Sequence, residues 1–328
     1  MKVFLAGGTG AVGKTLVPAL RDRGYEVFAL TRSEAKAAAL RSAGAQPVVA
    51  DALDRAAIVR AVAKAKAEIV IHQLTGLTGA SNIRHFDRVF ARTNRLRTEG
   101  TDILLDAARG ANARRFIAQS YGNWVYGSDG SRLKTERDPL DPDPLPQQRE
   151  SLAAIRHLEQ AVTGDPAITG IALRFGSLYG PGTNMALRGE FSDVVRSRKL
   201  PIIGDGAGVW SFLHIVDAAA ATVAAIEHGM TGVYNVCDDD PAPAAEWIPE
   251  LARALGAKPP MHVPAWLGRI AAGDVITWMM TTMRGMSNAK AKRELAWAPV
   301  YASWRQGFRT GLGQAQDGSD REAKRAMA

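Results

Sequence analysis

The chain has 328 residues, 46% of them hydrophobic, with 41 Lys and Arg against 33 Asp and Glu for a net charge of +8. That length buries a sizeable core and fits one large α/β unit with a smaller appended part. The positive charge is scattered, densest at 92–97 and 196–199 without interleaved aromatics, so it argues against nucleic acid as a partner and for anionic cofactors or substrates.

The first strand follows Met1-Lys2 directly, so no secretory signal is expected, and the longest apolar stretches, 218–226 and 270–280, are too short or too interrupted to span a membrane. A short apolar run, Val3-Phe4-Leu5, enters a turn containing Gly7, Gly8, Gly10 and Gly13 and then a helix carrying Val12, Leu16, Ala19 and Leu20. Glycines let the backbone turn tightly and bring amide groups and a helix N-terminus against a phosphate. Two templates fit. Gly7-x-x-Gly10-x-x-Gly13 has dinucleotide-turn spacing, and Gly8-x4-Gly13-Lys14-Thr15 reads formally as a P-loop.

Beyond Gly24 a second strand, 25–30, ends at Thr31-Arg32. A dinucleotide-binding unit for NAD presents a carboxylate near this position. An arginine there can grip a 2′-phosphate, which favours NADP, with NAD as the alternative. A helix at 34–43, a strand at 46–50 closing on Asp51-Ala52-Leu53-Asp54, a helix at 55–65 and a strand at 68–72 continue the alternation. Continuous apolar strands separated by helices predict a doubly wound parallel sheet, a Rossmann-type α/β fold. The fourth strand ends in His72-Gln73 and not in the aspartate that a P-loop enzyme uses for its metal, which weakens the P-loop template. No metal is expected. A helix at 94–108, a strand from Arg115 to Tyr121, an Asp- and Pro-rich loop at 134–149 and a helix at 151–162 follow.

At this point the chain resembles the extended short-chain dehydrogenases/reductases, the NAD(P)-dependent epimerase/dehydratase family. The signatures are Gly7–Gly13, Asp51–Asp54, Asn94 with Gly100-Thr101, Arg115-Phe116 leading to Ser120 and Val125-Tyr126-Gly127, Leu173-Arg174 with Tyr179–Gly182, His214-x-x-Asp217, Tyr234–Val236 and Arg293-Glu294-Leu295-x-Trp297-x-Pro299, all in family order. The resemblance selects the Gly7, Gly10, Gly13 set. It implies that Gly7, Thr9, Gly10, Ala11, Val12, Gly13, Thr31 and Arg32 hold cofactor, that Asp51, Ala52 and Leu53 meet its adenine, and that Gln73, Leu74 and Thr75 line its adenosine and pyrophosphate. Arg174 and His214 read more readily as structural residues, in an ion pair and beside a helix that Asp217 caps.

Redox members of that family use Ser or Thr after the fifth strand and Tyr-x-x-x-Lys on the next helix, where Lys lowers the Tyr pKa and Tyr exchanges a proton. This chain departs at each place. Helical alignment puts Ser151 in the Tyr slot and Ile155 in the Lys slot, and the Ser slot falls on Tyr121 or Gly122 according to the direction of counting. Tyr121, helped by Ser120, is therefore the candidate proton donor or substrate hydrogen bond, at the strand end where such sheets place ligands. Arg149, Arg156 or His157 could stand in electrostatically for the lysine, although a solvated basic face is the simpler reading.

From Gly180 the composition changes, with a helix at 191–198. Gly122, Trp124, Asn184 and Trp210 are candidate substrate contacts, and the indole of Trp210 favours a less polar or aromatic substrate as much as a sugar nucleotide. Trp266, Trp278, Met279, Met280 and Met283 are expected to cluster in the core. Cys237, the single cysteine, cannot pair internally and suits a reducing cytoplasm. The division expected is a cofactor domain at 1–175 with a return at 209–237, a substrate-binding part at 176–208 and 238–313, and a frayed tail at 314–328. The function expected is NAD(P)-dependent hydride transfer on a small carbonyl or alcohol. The alternatives are a nucleotide-sugar epimerase/dehydratase and a non-catalytic NADP sensor. Family resemblance implies a homodimer.

Overall fold

The computed structural model describes residues 1–76 and 86–313; the tail expected at 314–328 lies outside them. Seven strands form the central sheet: β1 (Lys2–Ala6), β2 (Glu26–Thr31), β3 (Gln46–Val49), β4 (Ile69–His72), β5 (Arg115–Tyr121), β6 (Thr169–Phe175) and β7 (Gly232–Val236). Their order is β7-β6-β5-β4-β1-β2-β3 and every pairing is parallel. The order reverses beside β1, so a crevice opens outside the carboxyl ends of β1 and β4, where sheets of this kind bind ligands.

The helices follow in chain order: α1 (Ala11–Asp22), α2 (Glu34–Ser42), α3 (Arg55–Ala65), α4 (Phe86–Arg97), α5 (Glu99–Gly110), α6 (Arg149–Thr163), α7 (Glu190–Arg196) and α8 (Ile215–His228). Val12, Leu16 and Leu20 of α1 pack with Ala218, Ala221 and Ala225 of α8 against one face of the sheet. Ile58 and Val62 of α3, Leu104 and Ala108 of α5, and Leu158 and Val162 of α6 cover the other. The helical spacing of these apolar residues is what turns each helix toward the sheet.

The helix expected at 94–108 is two helices. Thr98 leaves helical geometry (φ −94°, ψ −88°), and its hydroxyl and backbone N–H both donate to Asn94 O, at 3.0 and 2.9 Å. Such local side-chain bonding competes with the helix ladder and breaks it here. The helix expected at 191–198 is the shorter α7.

Beyond the sheet, short strand pairs tie distant segments together, among them Leu133–Lys134 with Gly285–Met286 and Val209–Trp210 with Ala242–Pro243. Two apolar clusters fill the space above the strand ends. One gathers Phe86, Trp124, Tyr126, Leu152, Ile155, Cys237, Met279, Met283 and Met286; the other gathers Tyr179, Phe212, Trp247, Met280, Trp304 and Phe308. Trp266 belongs to neither: it is 65% exposed, contrary to its expected place in the core. Among the described residues no helix is long and apolar enough to cross a membrane.

Candidate active site

The turn after β1 is built for close approach. Gly7 has φ +107°, and a Cβ there would lie 2.6 Å from Gln73 O. Gly13 sits inside α1, where a Cβ would meet Gly8 Cα at 2.7 Å. Gly10 is exposed, with only Gly7 O within 4 Å of where its Cβ would be, at 3.4 Å. Two glycines thus close the turn on itself and the third leaves its outer surface open. No side chain caps the start of α1 and no acidic residue lies in its first turn, so its amide groups and dipole face outward unopposed. This cradle fits a dinucleotide pyrophosphate. The P-loop template fails because α1 begins at Ala11, which puts Gly13 inside the helix and not at the end of a phosphate-wrapping loop, and leaves Lys14 on its exposed side. Of the other predicted turn residues, Thr9 and Ala11 are half-buried and Val12 is buried against the sheet.

Next to the turn, His72 holds the chain that leaves β4. Its Nε2 donates to Leu96 O at 3.0 Å and its Nδ1 accepts from Leu74 N–H at 3.2 Å. Both bonds require the neutral ring protonated on Nε2, and burial pushes the His72 pKa down to about 4, opposed by the Leu96 bond and assisted by the nearby Arg97 charge. Gln73 N–H continues the sheet to Ala6 O (2.8 Å) and its amide nitrogen donates to Thr222 on α8 (3.3 Å), while its Oε1 is buried without a partner. Leu74 is half-buried and Thr75 exposed at the lip.

Thr31 ends β2 buried, accepting from Ser33 N–H, and Arg32 beside it is exposed with no polar partner among the described residues. The exposed Asp51 accepts from Leu53 N–H at 3.0 Å and lies 3.9 Å from Arg92 of α4. Capping of α3 falls to Asp54, which accepts from Ala57 N–H at 3.0 Å, so Asp51 is not needed for it. Ala52 is buried under this bend and Leu53 half-buried.

The slots for the usual acid pair are closed. Ser151 Oγ donates to Asp87 at 2.5 Å and accepts from Asn94 Nδ2 at 3.0 Å, while Asp87 also receives the Ser151 and Glu150 backbone N–H groups at the start of α6. Ile155 is fully buried among Trp124, Leu152 and Met283. The proposed substitutes point elsewhere: Arg156 donates to Asp141 O, His157 pairs with Asp102 at 2.8 Å, and Arg149 lies 3.6 Å from Asp143. Gly122 is buried, and a Cβ there would come 2.6 Å from Met286 Cε and closer still to its sulfur, so that slot holds a thioether instead of a hydroxyl.

Ser120 and Tyr121 part company because successive strand residues face opposite sides. Ser120 shares the face of Phe116 and Ala118; it is fully buried and donates to Glu159 Oε1 at 2.7 Å. Glu159 in turn takes Arg174 bidentately at 2.8 and 2.6 Å, and Arg174 donates on to Tyr126 OH, which donates to Asn235. Ser120 is therefore a member of a buried scaffold joining β5, β6, β7 and α6, which makes Arg174 the ion-pair residue expected. His214, not Asp217, caps α8: it accepts from Val216 N–H, and Asp217 instead accepts from Val300 and Tyr301 N–H. Tyr121 OH lies 3.2 Å from Ser177 Oγ, which Asn123 also reaches at 2.7 Å. Burial raises the Tyr121 pKa, partly offset by its Ser177 and Asn123 bonds and the Arg97 charge, so the phenol is protonated at neutral pH.

The apolar cluster beside Tyr121 is aromatic. Phe86 stacks on Phe90 (centroids 4.4 Å apart) and meets Trp124 edge-on (4.9 Å), with Trp278 half-buried in the same cluster. Trp210 donates its indole N–H to Met279 O and lies against Phe212 and Trp247, joining both apolar clusters. Asn184 is exposed and makes no side-chain bond among the described residues. One residue that the sequence reading passed over is Arg97, on α4. It is 6% exposed, its guanidinium donates no hydrogen bond and forms no ion pair among the described residues, and Nη1 is fully enclosed.

Cradle, switch-point crevice and fold define an NAD(P)-dependent enzyme of the extended short-chain dehydrogenase/reductase type. The family model for the NAD dependent epimerase/dehydratase family matches residues 3–237, and the chain belongs to that family. It is 45% identical to a 3-diazoavenalumate denitrifying reductase from a Streptomyces species, over 94% of this chain and 99% of the relative. It is 28% identical to a 4-hydroxy-2-methyl-3-oxo-4-farnesyl-3,4-dihydroquinoline-1-oxide ketoreductase from Stigmatella aurantiaca, over 83% and 79% of the two chains. Among solved structures, UDP-glucose 4-epimerase from Thermotoga maritima superposes with a TM-score of 0.75 over the full length of both chains at 20% identity, which shows the shared fold. These relatives support the oxidoreductase reading of the sequence.

Proposed function

We propose that this chain is an NADPH-dependent reductase that replaces the diazo group of an aromatic carboxylate with hydrogen. The observation that carries this reading is the closure of both slots for a proton-donating pair, Ser151 held by Asp87 and Asn94, and Ile155 buried in an apolar cluster. Carbonyl reduction consumes a proton for the new hydroxyl, and sugar epimerisation needs a base for one, so both call for such a pair. Reductive loss of nitrogen does not. Hydride arrives at carbon, the carbon–nitrogen bonding pair leaves with nitrogen, and C–N₂⁺ plus H⁻ becomes C–H plus N₂ with no proton consumed. The reduced nicotinamide supplies the hydride.

The high identity to the denitrifying reductase, whose name joins a diazo group, a carboxylate and nitrogen loss, supports the same reaction. Arg32, exposed and without a polar partner among the described residues at the end of β2, favours a 2′-phosphate and so NADP over NAD. Asp51 to Leu53 and Gln73 to Thr75 complete the cofactor contacts. Tyr121 serves as a hydrogen-bond donor to substrate, Trp124, Trp210 and Asn184 border the same cleft, and Ser120 supports Tyr121 through the Glu159 scaffold. Residues 1–175 with 209–237 form the cofactor part, and 176–208 with 238–313 the substrate part. A homodimer in a reducing cytoplasm completes the proposal, on the strength of the single thiol and family resemblance.

The test supplies the protein with NADPH deuterated at the transferring position and a ¹⁵N-labelled diazo-aryl carboxylate. The expected result is ¹⁵N₂ release matching NADPH oxidation, with deuterium on the carbon that bore nitrogen. Nitrogen retained in the product, or ring hydrogen drawn from water, overturns the reading. Tyr121→Phe is expected to raise KM and to lower kcat by about tenfold or less, because the phenol orients substrate without donating its proton; loss by more than about a thousandfold would make it the acid.

A further inference from the structure

Arg97 has a feature that folding alone does not account for. An arginine 94% removed from solvent ordinarily has a carboxylate or several carbonyls around its guanidinium, because an unpaired buried charge costs several kcal/mol. Here burial pushes the Arg97 pKa down to about 10, leaving it cationic at neutral pH, and the charged or ionisable groups that it senses are Tyr121 and Glu159. Glu159 does not serve as its counterion, since both carboxylate oxygens are occupied by Arg174 and Ser120. The Glu159–Arg174 pair is neutral as a unit, so among the described residues Arg97 is a surplus positive charge beside the carboxyl end of β5.

Its position on α4 adds a second line of evidence. Phe86, Phe90, Thr93 and Arg97 recur at spacings of four, three and four, which places them along one face of the helix. That face begins with the aromatic cluster beside Tyr121, continues through Thr93, whose hydroxyl accepts from Gly76 N–H at 3.0 Å on the lip after β4, and ends in Arg97. One turn earlier on the same helix, Asn94 Oδ1 is likewise buried without a partner among the described residues. Buried polar groups in a finished protein are nearly always paired, so an orphaned guanidinium nitrogen marks a group that a ligand can complete.

We propose that Arg97 is the anchor for the substrate's carboxylate, holding it at the floor of the cleft whose aromatic wall, Phe86, Phe90 and Trp124, covers the ring. This rests on the aryl carboxylate reading of the substrate and adds which residue recognises the anion. A planar guanidinium receives a carboxylate through two parallel hydrogen bonds, which fixes direction as well as position.

The experiment titrates NADP⁺-loaded protein with trans-cinnamate and with trans-cinnamamide, a neutral mimic of the same shape, by calorimetry. Wild type is expected to bind the acid at least tenfold more tightly than the amide. Arg97→Met is expected to bind the two within about twofold, Arg97→Lys to recover part of the preference, and NADP⁺ affinity to stay unchanged in both. Because Arg97→Met removes an uncompensated buried charge, its melting temperature is expected to equal or exceed that of wild type, so lost binding cannot be assigned to unfolding. An acid preference that survives in Arg97→Met, a wild type without one, or a loss of NADP⁺ affinity on substitution, which would give the guanidinium to the cofactor, each overturns the assignment. If the acid preference depends on Arg97 while the labelled diazo substrate releases no nitrogen, the anchor stands and the proposed reaction falls. If nitrogen is released but the preference ignores Arg97, the reverse holds.

Discussion

The two ends of the crevice have been treated differently by the sequence. At the β1 end the dinucleotide cradle is intact: Gly7 and Gly13 close the turn, Gly10 leaves it open outward, and a neutral His72 fixes the backbone at Leu74. At the β5 end the positions that ordinarily carry acid–base chemistry are filled by Tyr121 or, counted from the other side, Gly122 under Met286, by Ser151 under Asp87 and by Ile155 in an apolar cluster. The contrast teaches that cofactor binding and proton transfer are separable parts of this fold. A chain can keep the cofactor cradle whole while other packing fills the positions of the acid pair, as the nitrogen-releasing reduction proposed above allows.

The hardest test of that contrast is to put the lysine back. Ile155→Lys buries an ammonium in an apolar cluster where the carboxylates one turn away, Glu159 and the Asp87 that holds Ser151, already have their partners, and it is expected to cost about 3–5 kcal/mol in urea denaturation, with no gain in carbonyl reductase activity. A stable, active Ile155→Lys enzyme would show the slot to be merely vacant and not rebuilt. A smaller effect is expected at the cofactor end. Arg32→Ala should weaken NADP⁺ by about ten- to a hundredfold and leave NAD⁺ within about twofold, since a charge-assisted contact to phosphate is worth about 1.5–3 kcal/mol; equal loss for both nucleotides would detach Arg32 from the 2′-phosphate.

The mildest change is one of pH. His72 has an ordinary pKa of 6.5 and a folded one of about 4, so below pH 6.5 the unfolded chain takes up a proton that the folded chain refuses. Stability is complete above about pH 6.5 and is lost progressively as pH falls toward 4. Melting temperatures at pH 7 and 5 should show this loss, and it should shrink in His72→Asn, whose side chain does not titrate.

Much of the fold was legible because its signals are local and redundant. Apolar strands with intervening helices, closed by glycines at 7, 24 and 44, allow little besides a parallel doubly wound sheet. The site was legible in part. Period-two alternation already separates Ser120 from Tyr121, but that Ser120 would be absorbed by Glu159 depends on a partner 39 residues away and cannot be read locally. Arg97 was hidden for a different reason: it falls in the basic run 92–97, which reads as a solvated surface. The available signal was its helical phase with Phe86 and Phe90, obscured because Thr98 breaks a segment that reads as one helix from 94 to 108.

The packing of Met286 against Gly122 couples the two positions. A serine restored at 122 would drive its Cβ into the Met286 thioether, and shortening Met286 first would leave a void in the cluster of Trp124, Ile155 and Met283. A hydroxyl at 122 therefore asks the buried Met286 side chain to swing aside or to be shortened, and the two positions act as one unit in any attempt to place a serine there.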